Sequence, residues 1–231
     1  MRKAGELIRE YLREGKLAAN RSEPIGSGYY GVVYESDVPG NVMKQAIVPE
    51  LPENNNVTGV RTLEEEVNLQ AIAAEMGIAP RVAGLETFPG GIGNRIEMAD
   101  TRKNFAKHDS NNGLFPAGRD AVRVSQQLGQ LALKGIDLGD RTIDNVVYNK
   151  MTGRPMQIDF GVAGKVKGPQ QVASLAYATA EGFEAAGLGD VAEIYRATVF
   201  DLLEGGDVAD AMDVAKQGFS RLQKIKTPLA N

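Results

Sequence analysis

Asp140 stands five residues before Asn145, and Asp159-Phe160-Gly161 follows at the end of an apolar run. In a loop that follows a helix and precedes a strand, an Asp can accept the proton of an attacking hydroxyl. Asn145 can offer a neutral oxygen to Mg2+, and Asp159, at a strand end, can bind Mg2+ that bridges phosphates. Phe160 is expected to pack, and Gly161 to let the backbone turn. Much earlier, Gly26-Ser27-Gly28-Tyr29-Tyr30-Gly31-Val32-Val33 spaces three glycines so that backbone amides can approach phosphate oxygens. Val32-Val33-Tyr34 continues as strand after the glycines, so the loop is of the hairpin type rather than the strand-to-helix type. Taken singly, each feature has an ordinary reading as a glycine-rich hairpin or a turn-forming Asp or Asn. Asp137 and Asp144 are read in that ordinary way, as loop structure.

Lys44 follows Val42-Met43 on a strand. A lysine so flanked usually points to solvent. To hold a phosphate it needs an acidic partner that fixes its ammonium. The following helix offers Glu64, Glu65 and Glu66. Glu65 shares a helical face with Leu69, Ile72 and Met76, the apolar stripe expected to pack inward. Glu66 shares its face with Leu63, Gln70 and Ala73, a poorer stripe. Glu65 is therefore the expected partner of Lys44, with Glu66 as the alternative.

These residues need elements to hold them. An amphipathic helix is expected over 2–18, from the spacing of Leu7, Ile8, Tyr11, Leu12 and Leu17. Strands are expected near 22–26, 31–36 and 41–46, with a turn at Asp37-Val38-Pro39-Gly40-Asn41. Residues 49–59 read as a loop. A helix runs from Thr62, where Thr62-Leu63-Glu64-Glu65 fits a capping box, to about Met76, and Gly77 ends it. Two strands are expected within 81–100 and a polar loop over 101–116, which holds His108, the lone histidine. A helix over 118–135 precedes the Asp140 loop. A hairpin of 146–148 with 156–158 leads to Asp159. Three helices near 169–186, 189–204 and 207–226 complete the chain.

Together these residues resemble the protein-kinase superfamily over roughly residues 22–165. The resemblance implies an α+β, bilobal fold: an antiparallel-sheet N-lobe with one helix, and a reduced, mainly helical C-lobe. It implies one domain, with 1–21 as a helical extension, 22–100 as N-lobe and 101–231 as C-lobe. ATP and Mg2+ are the implied cofactors. Gly26, Ser27, Gly28 and Gly31 match the glycine loop, and Val33 the valine that covers adenine. Lys44 matches the phosphate-binding lysine and Glu65 its helix partner. Met98, Ala99 and Asp100 fall at the hinge. Asp140 matches the catalytic aspartate, Asn145 and Asp159 the metal ligands. Departures are equally plain. Leu138-Gly139 stands where the family usually has His-Arg, removing the usual partner of a phosphorylated activation segment. Thr142 replaces the lysine of Ser/Thr kinases, no Ala-Pro-Glu follows Gly161, and there is no tryptophan. The chain is similar to minimal, atypical kinases of the kind encoded by phages or used as bacterial effectors.

Composition narrows the classes. With 231 residues, 42% hydrophobic and 24% charged, the chain can bury a core. A net charge of −4 argues against a broad nucleic-acid surface. The absence of cysteine excludes disulfides and thiolate metal sites and fits a reducing compartment. No run approaches the ~18 apolar residues of a membrane span, and no secretory signal is apparent, so the cytoplasm is the expected compartment. The leading expectation is Mg-ATP-dependent transfer to a protein hydroxyl, Ser/Thr before Tyr, with ATP and a protein substrate as partners. Three alternatives stay open: a small-molecule kinase of the aminoglycoside or choline phosphotransferase type, an adenylyltransferase in the same fold, and a non-enzymatic pseudokinase.

Overall fold

The computed structural model describes residues 23–27, 31–46, 63–87, 95–107, 119–139, 141 and 145–225. The expected helix over 2–18, the Thr62 capping box and His108 lie outside them, as do Gly28, Asp140, Thr142 and Asp144.

The fold is α+β. Its first part is a five-stranded antiparallel sheet in the order β1-β2-β3-β5-β4. The strands are β1 (Gly26–Ser27), β2 (Gly31–Glu35), β3 (Asn41–Ala46), β4 (Val82–Glu86) and β5 (Arg95–Ala99), with helix α1 (Leu63–Glu75) between β3 and β4. β2 and β3 pair so that Val33 faces Lys44, and β3 and β5 so that Lys44 faces Ile96 and Val42 faces Met98. Because side chains alternate along a strand, Lys44 and Val42 share one face with Ile96 and Met98. That face carries the core cluster of Val42, Leu63, Ile96 and Met98, with Val33, Val67, Val82 and Leu85 packed around it. Lys44 therefore points into the sheet–helix layer instead of toward solvent. The opposite face is also buried at Val32, Tyr34 and Gln45.

α1 stops where expected. Gly77 takes a left-handed φ of 72°, and the Ile78 N–H reaches back to the Ala73 carbonyl at 2.9 Å, the 6→1 bond of a glycine-terminated helix.

The second part is mainly helical: α2 (Arg119–Leu133), α3 (Pro169–Ala185), α4 (Gly189–Glu204) and α5 (Val208–Gln223). Three buried aromatic and aliphatic side chains seat on glycines. A β-carbon on Gly129 would come 2.1 Å from the Phe219 ring, one on Gly218 2.2 Å from Tyr195, and one on Gly182 2.5 Å from Leu222. Small strands complete this part. β6 (Phe105–Lys107), β8 (Val146–Asn149) and β9 (Pro155–Gln157) form a three-stranded sheet, and β7 (Ile136–Asp137) pairs with β10 (Gly164–Lys165). β6 lies in the stretch expected to be loop, and β7 and β10 were not expected as strands. The chain forms two compact units that divide after Lys103, with Asp159–Val162 returning to the first unit.

Candidate active site

The Lys44 ammonium is held between two carboxylates. Nζ donates to Glu66 Oε1 at 2.6 Å and to Asp159 Oδ1 at 3.1 Å. Lys44 and Glu66 are both buried, whereas the Asp159 side chain is 42% exposed. Burial works to lower the Lys44 pKa, but the two carboxylates outweigh it and hold the ammonium charged well above its ordinary range. Burial pushes the Glu66 carboxyl up, opposed by the Lys44 charge.

The partner of Lys44 is Glu66, so the expectation of Glu65 is corrected. Glu65 is exposed, and the buried residues of α1 are Leu63, Glu66, Leu69, Gln70 and Ala73. The polar members of this stripe are held by specific partners, Glu66 by Lys44 and Gln70 through its Nε2, although Gln70 Oε1 is buried without a hydrogen bond. Gln70 Nε2, one turn beyond Glu66, donates to the Pro80 carbonyl at 3.0 Å and touches Met98 Sδ at 3.7 Å. Ile72 and Met76, which pointed to Glu65, are only half-buried.

Asp159 is fixed at the start of a turn by its own loop: Oδ1 also accepts the Gly161 N–H at 2.9 Å. Phe160 is fully buried, as expected. Gly31 lies beside Lys44, where a β-carbon would meet the Gln45 carbonyl oxygen at 2.9 Å and Lys44 Cε at 3.2 Å. Only a residue without a side chain fits there. Gly26 and Ser27 form β1, paired with Val33 and Val32, so the described ends of the glycine loop are antiparallel strands. Met98 is buried against Gln70. The N–H groups of Ala99 and Asp100 already donate to the Arg81 and Gly40 carbonyls at 2.9 and 2.8 Å, so an adenine at this edge would have to use other backbone groups.

These residues suit MgATP on their chemistry. Two carboxylates around one ammonium leave an excess of negative charge that a divalent cation could neutralise, while the Lys44 ammonium could donate to phosphate oxygens. No cluster of three or more His, Cys, Asp or Glu side chains suited to a metal occurs among the described residues. A Mg2+ ion here would depend on phosphate oxygens and water for most of its ligands, its usual habit.

In the second unit, the Asn145 carbonyl accepts the Ile158 N–H at 2.9 Å, tying residue 145 to the residue that precedes Asp159 in the chain. Asp137, read from the sequence as an ordinary loop residue, is the hub of this region. Its carboxylate accepts the Gly139 N–H at 2.8 Å, Arg141 NH2 at 3.1 Å and the Ser174 hydroxyl. Burial would raise its pKa, but the Ser174 bond and the Arg141 charge lead the influences that bring it below the usual carboxylate range. Nothing in the local sequence signals Ser174, which lies 37 residues downstream.

No protein-family model matches the chain, and no curated protein matches it. Solved structures do resemble it. The PknI kinase domain of Mycobacterium tuberculosis is 16% identical over 71% of this chain and 71% of that one, with a TM-score of 0.46. A double mutant of the same domain is 15% identical, covers 87% and 93%, and has a TM-score of 0.49. The PK-1 kinase of Cydia pomonella granulovirus is 13% identical, covers 79% and 75%, and has a TM-score of 0.47. The structures that this chain resembles are protein kinase domains. Its function is argued below from its own residues.

Proposed function

We propose that this chain is a Mg-ATP-dependent phosphotransferase that acts on a hydroxyl, in the first instance a Ser or Thr of a protein. One observation carries the reading: a buried lysine on β3 held at 2.6 Å by Glu66 of α1 and at 3.1 Å by Asp159 of Asp-Phe-Gly. A buried ion pair is a costly way to stabilise a fold, because desolvation offsets much of the attraction. Its retention beside a glycine-rich hairpin fits a site that holds phosphate.

Bound MgATP would supply the transferable phosphoryl group and the charge-neutralising cation. Lys44 would hold phosphate oxygens, and Glu66 keeps its ammonium in place. Asp159 and Asn145 are the metal ligands in this reading. Asp140 accepts the proton of the attacking hydroxyl as its oxygen bonds to the γ-phosphorus and the bond to the β-γ bridging oxygen breaks, releasing ADP. Gly26, Ser27, Gly28, Gly31 and Val33 are the residues that would hold the nucleotide. The reading keeps the protein in the cytoplasm, where ATP is abundant, and no helix among the described residues is long and apolar enough to cross a membrane.

The test is intact-mass analysis after incubation with Mg-ATP, alone and with a mixture of candidate protein substrates, alongside the Lys44→Met and Asp159→Ala variants. Phosphate adducts lost in both variants support the reading. Adenylyl adducts would replace it with nucleotidyl transfer. Folded protein that neither binds ATP nor forms an adduct would sink it.

A further inference from the structure

We propose that Asp137 is a positioning residue that clamps the chain on both sides of residue 140 to helix α3; the proposal rests on the reading of Asp140 as base. Asp137 Oδ1 accepts the Gly139 N–H at 2.8 Å, and Oδ2 accepts from Arg141 NH2 at 3.1 Å and from the Ser174 hydroxyl. The residue before position 140 and the residue after it are thus held by one carboxylate. That carboxylate is anchored in turn to a helix residue only 5% exposed and, through the backbone, to Gly164 of β10.

A bland alternative is that Asp137 merely starts a turn. An Asp in that role needs only the bond to the backbone N–H two residues on, which the Gly139 contact supplies. Gly139 also takes a φ of 70°, so the chain reverses immediately after Asp137 without side-chain strain. The Arg141 and Ser174 contacts go beyond a turn's needs. They tie Arg141 and a distant helix to the same oxygen, Oδ2. The Arg141–Asp137 pair is not a solvated surface pair either: the side chains are 23% and 24% exposed. Leu138, between Asp137 and Gly139, is buried and adds a third fixed point. Where many kinases carry His-Arg before the catalytic Asp, this chain has Leu-Gly, and Asp137 with Arg141 provides an internal brace from other positions. Such a brace matters because a shift of roughly 1 Å in a reacting group can cost ~10²-fold in rate.

The experiment uses the full chain and measures ADP release and self-phosphorylation at a temperature well below unfolding. Asp137→Asn, Arg141→Met, Arg141→Lys and Ser174→Ala are compared, with Asp140→Ala as reference. Asp137→Asn keeps an acceptor for Gly139 but loses the pair with Arg141. It and Arg141→Met are expected to lower kcat by ~10–10²-fold while KM for ATP stays within about twofold. Arg141→Lys, which can still pair with Asp137, should recover much of the loss, and Ser174→Ala should fall between. Amide exchange at Gly139 should quicken in Asp137→Asn, because a neutral amide is a weaker acceptor than the carboxylate and no longer pairs with Arg141. A purely structural role would lower the melting temperature and leave kcat of the folded enzyme unchanged. Wild-type kcat in folded Asp137→Asn and Arg141→Met, with Asp140→Ala inactive, would overturn the proposal and leave the phosphotransfer reading intact. Turnover that survives in Asp140→Ala, or is absent from the wild type, would overturn the base assignment and this proposal with it.

Discussion

Glu66 and Glu65 differ by one position and by everything that matters chemically. Only Glu66 meets Lys44, at 2.6 Å. Glu66→Gln should cut phosphoryl transfer by about 10²-fold, because Lys44 loses the charge that fixes its ammonium. Glu65→Gln should stay near wild type. Glu66→Gln will also destabilise the fold, since breaking one side of a buried pair typically costs ~3–5 kcal/mol. Rates must therefore be taken on folded protein, checked by circular dichroism. Equal loss in both variants would contradict the helix phase seen here. Asp137 gives a second test at this scale. Its folded pKa is depressed, with Arg141 and, through space, Glu181 as its charged neighbours. Its stabilising contribution is fully present above the unfolded value of roughly 3.9 and is lost as pH falls through the folded value. Urea titrations should show Asp137→Asn less stable than wild type at pH 7, with the gap closing below about pH 4. A gap independent of pH would mean that the ionised carboxylate contributes nothing.

The elements were legible wherever the chain carries a period and a stop. Hairpin strands β2 and β3 flank Pro39-Gly40, and α1 ends just before Gly77. The last three helices are punctuated by Gly187-Leu188, with Gly189 opening α4, and by Gly205-Gly206. The short strands were not legible. β7 and β10 are two residues each and β6 three. So few residues show no alternation, and each counts as a strand only because a distant segment bonds to it. Helix–helix packing was equally hidden. Gly129 looks like a weak point in a helix, where Ala should gain roughly 1 kcal/mol of propensity. The Phe219 ring, 2.1 Å from where the β-carbon would sit, reverses that expectation. Overpacking typically costs ~1–3 kcal/mol and often more at so short a distance. Gly129→Ala should lower the melting temperature by several degrees, at about 2–4 °C per kcal/mol for a chain of this size. Gly189→Ala, whose β-carbon meets nothing within 4 Å, serves as the control and should be neutral or slightly stabilising. Thermal scans of the two variants decide the matter.

For the molecule as a whole, binding is the plainest readout. A ligand that binds only the folded state at a hundredfold excess over Kd adds ~2.7 kcal/mol, so saturating Mg-ATP should raise the melting temperature by about 5–10 °C. Asp159→Ala should lose most of the Mg2+ dependence of that shift. No shift with folded wild-type protein would remove the nucleotide from the account. By itself, the sequence determined the inventory and its order: the glycine hairpin, Lys44, an acidic helix turn, Asp140 with Asn145, then Asp159-Phe160-Gly161. It also determined the α+β class, because period and punctuation are local properties written into neighbouring residues. Only the tertiary structure decided which glutamate serves Lys44 and that Asp137 is a hub rather than a turn. Both depend on a polar side chain drawn out of solvent, fully for Glu66 and partly for Asp137, and such a group is stabilised there by the partner that satisfies it. Those partners, Lys44 for Glu66 and Ser174 for Asp137, lie 22 and 37 residues away along the chain. No local pattern encodes a contact across that distance.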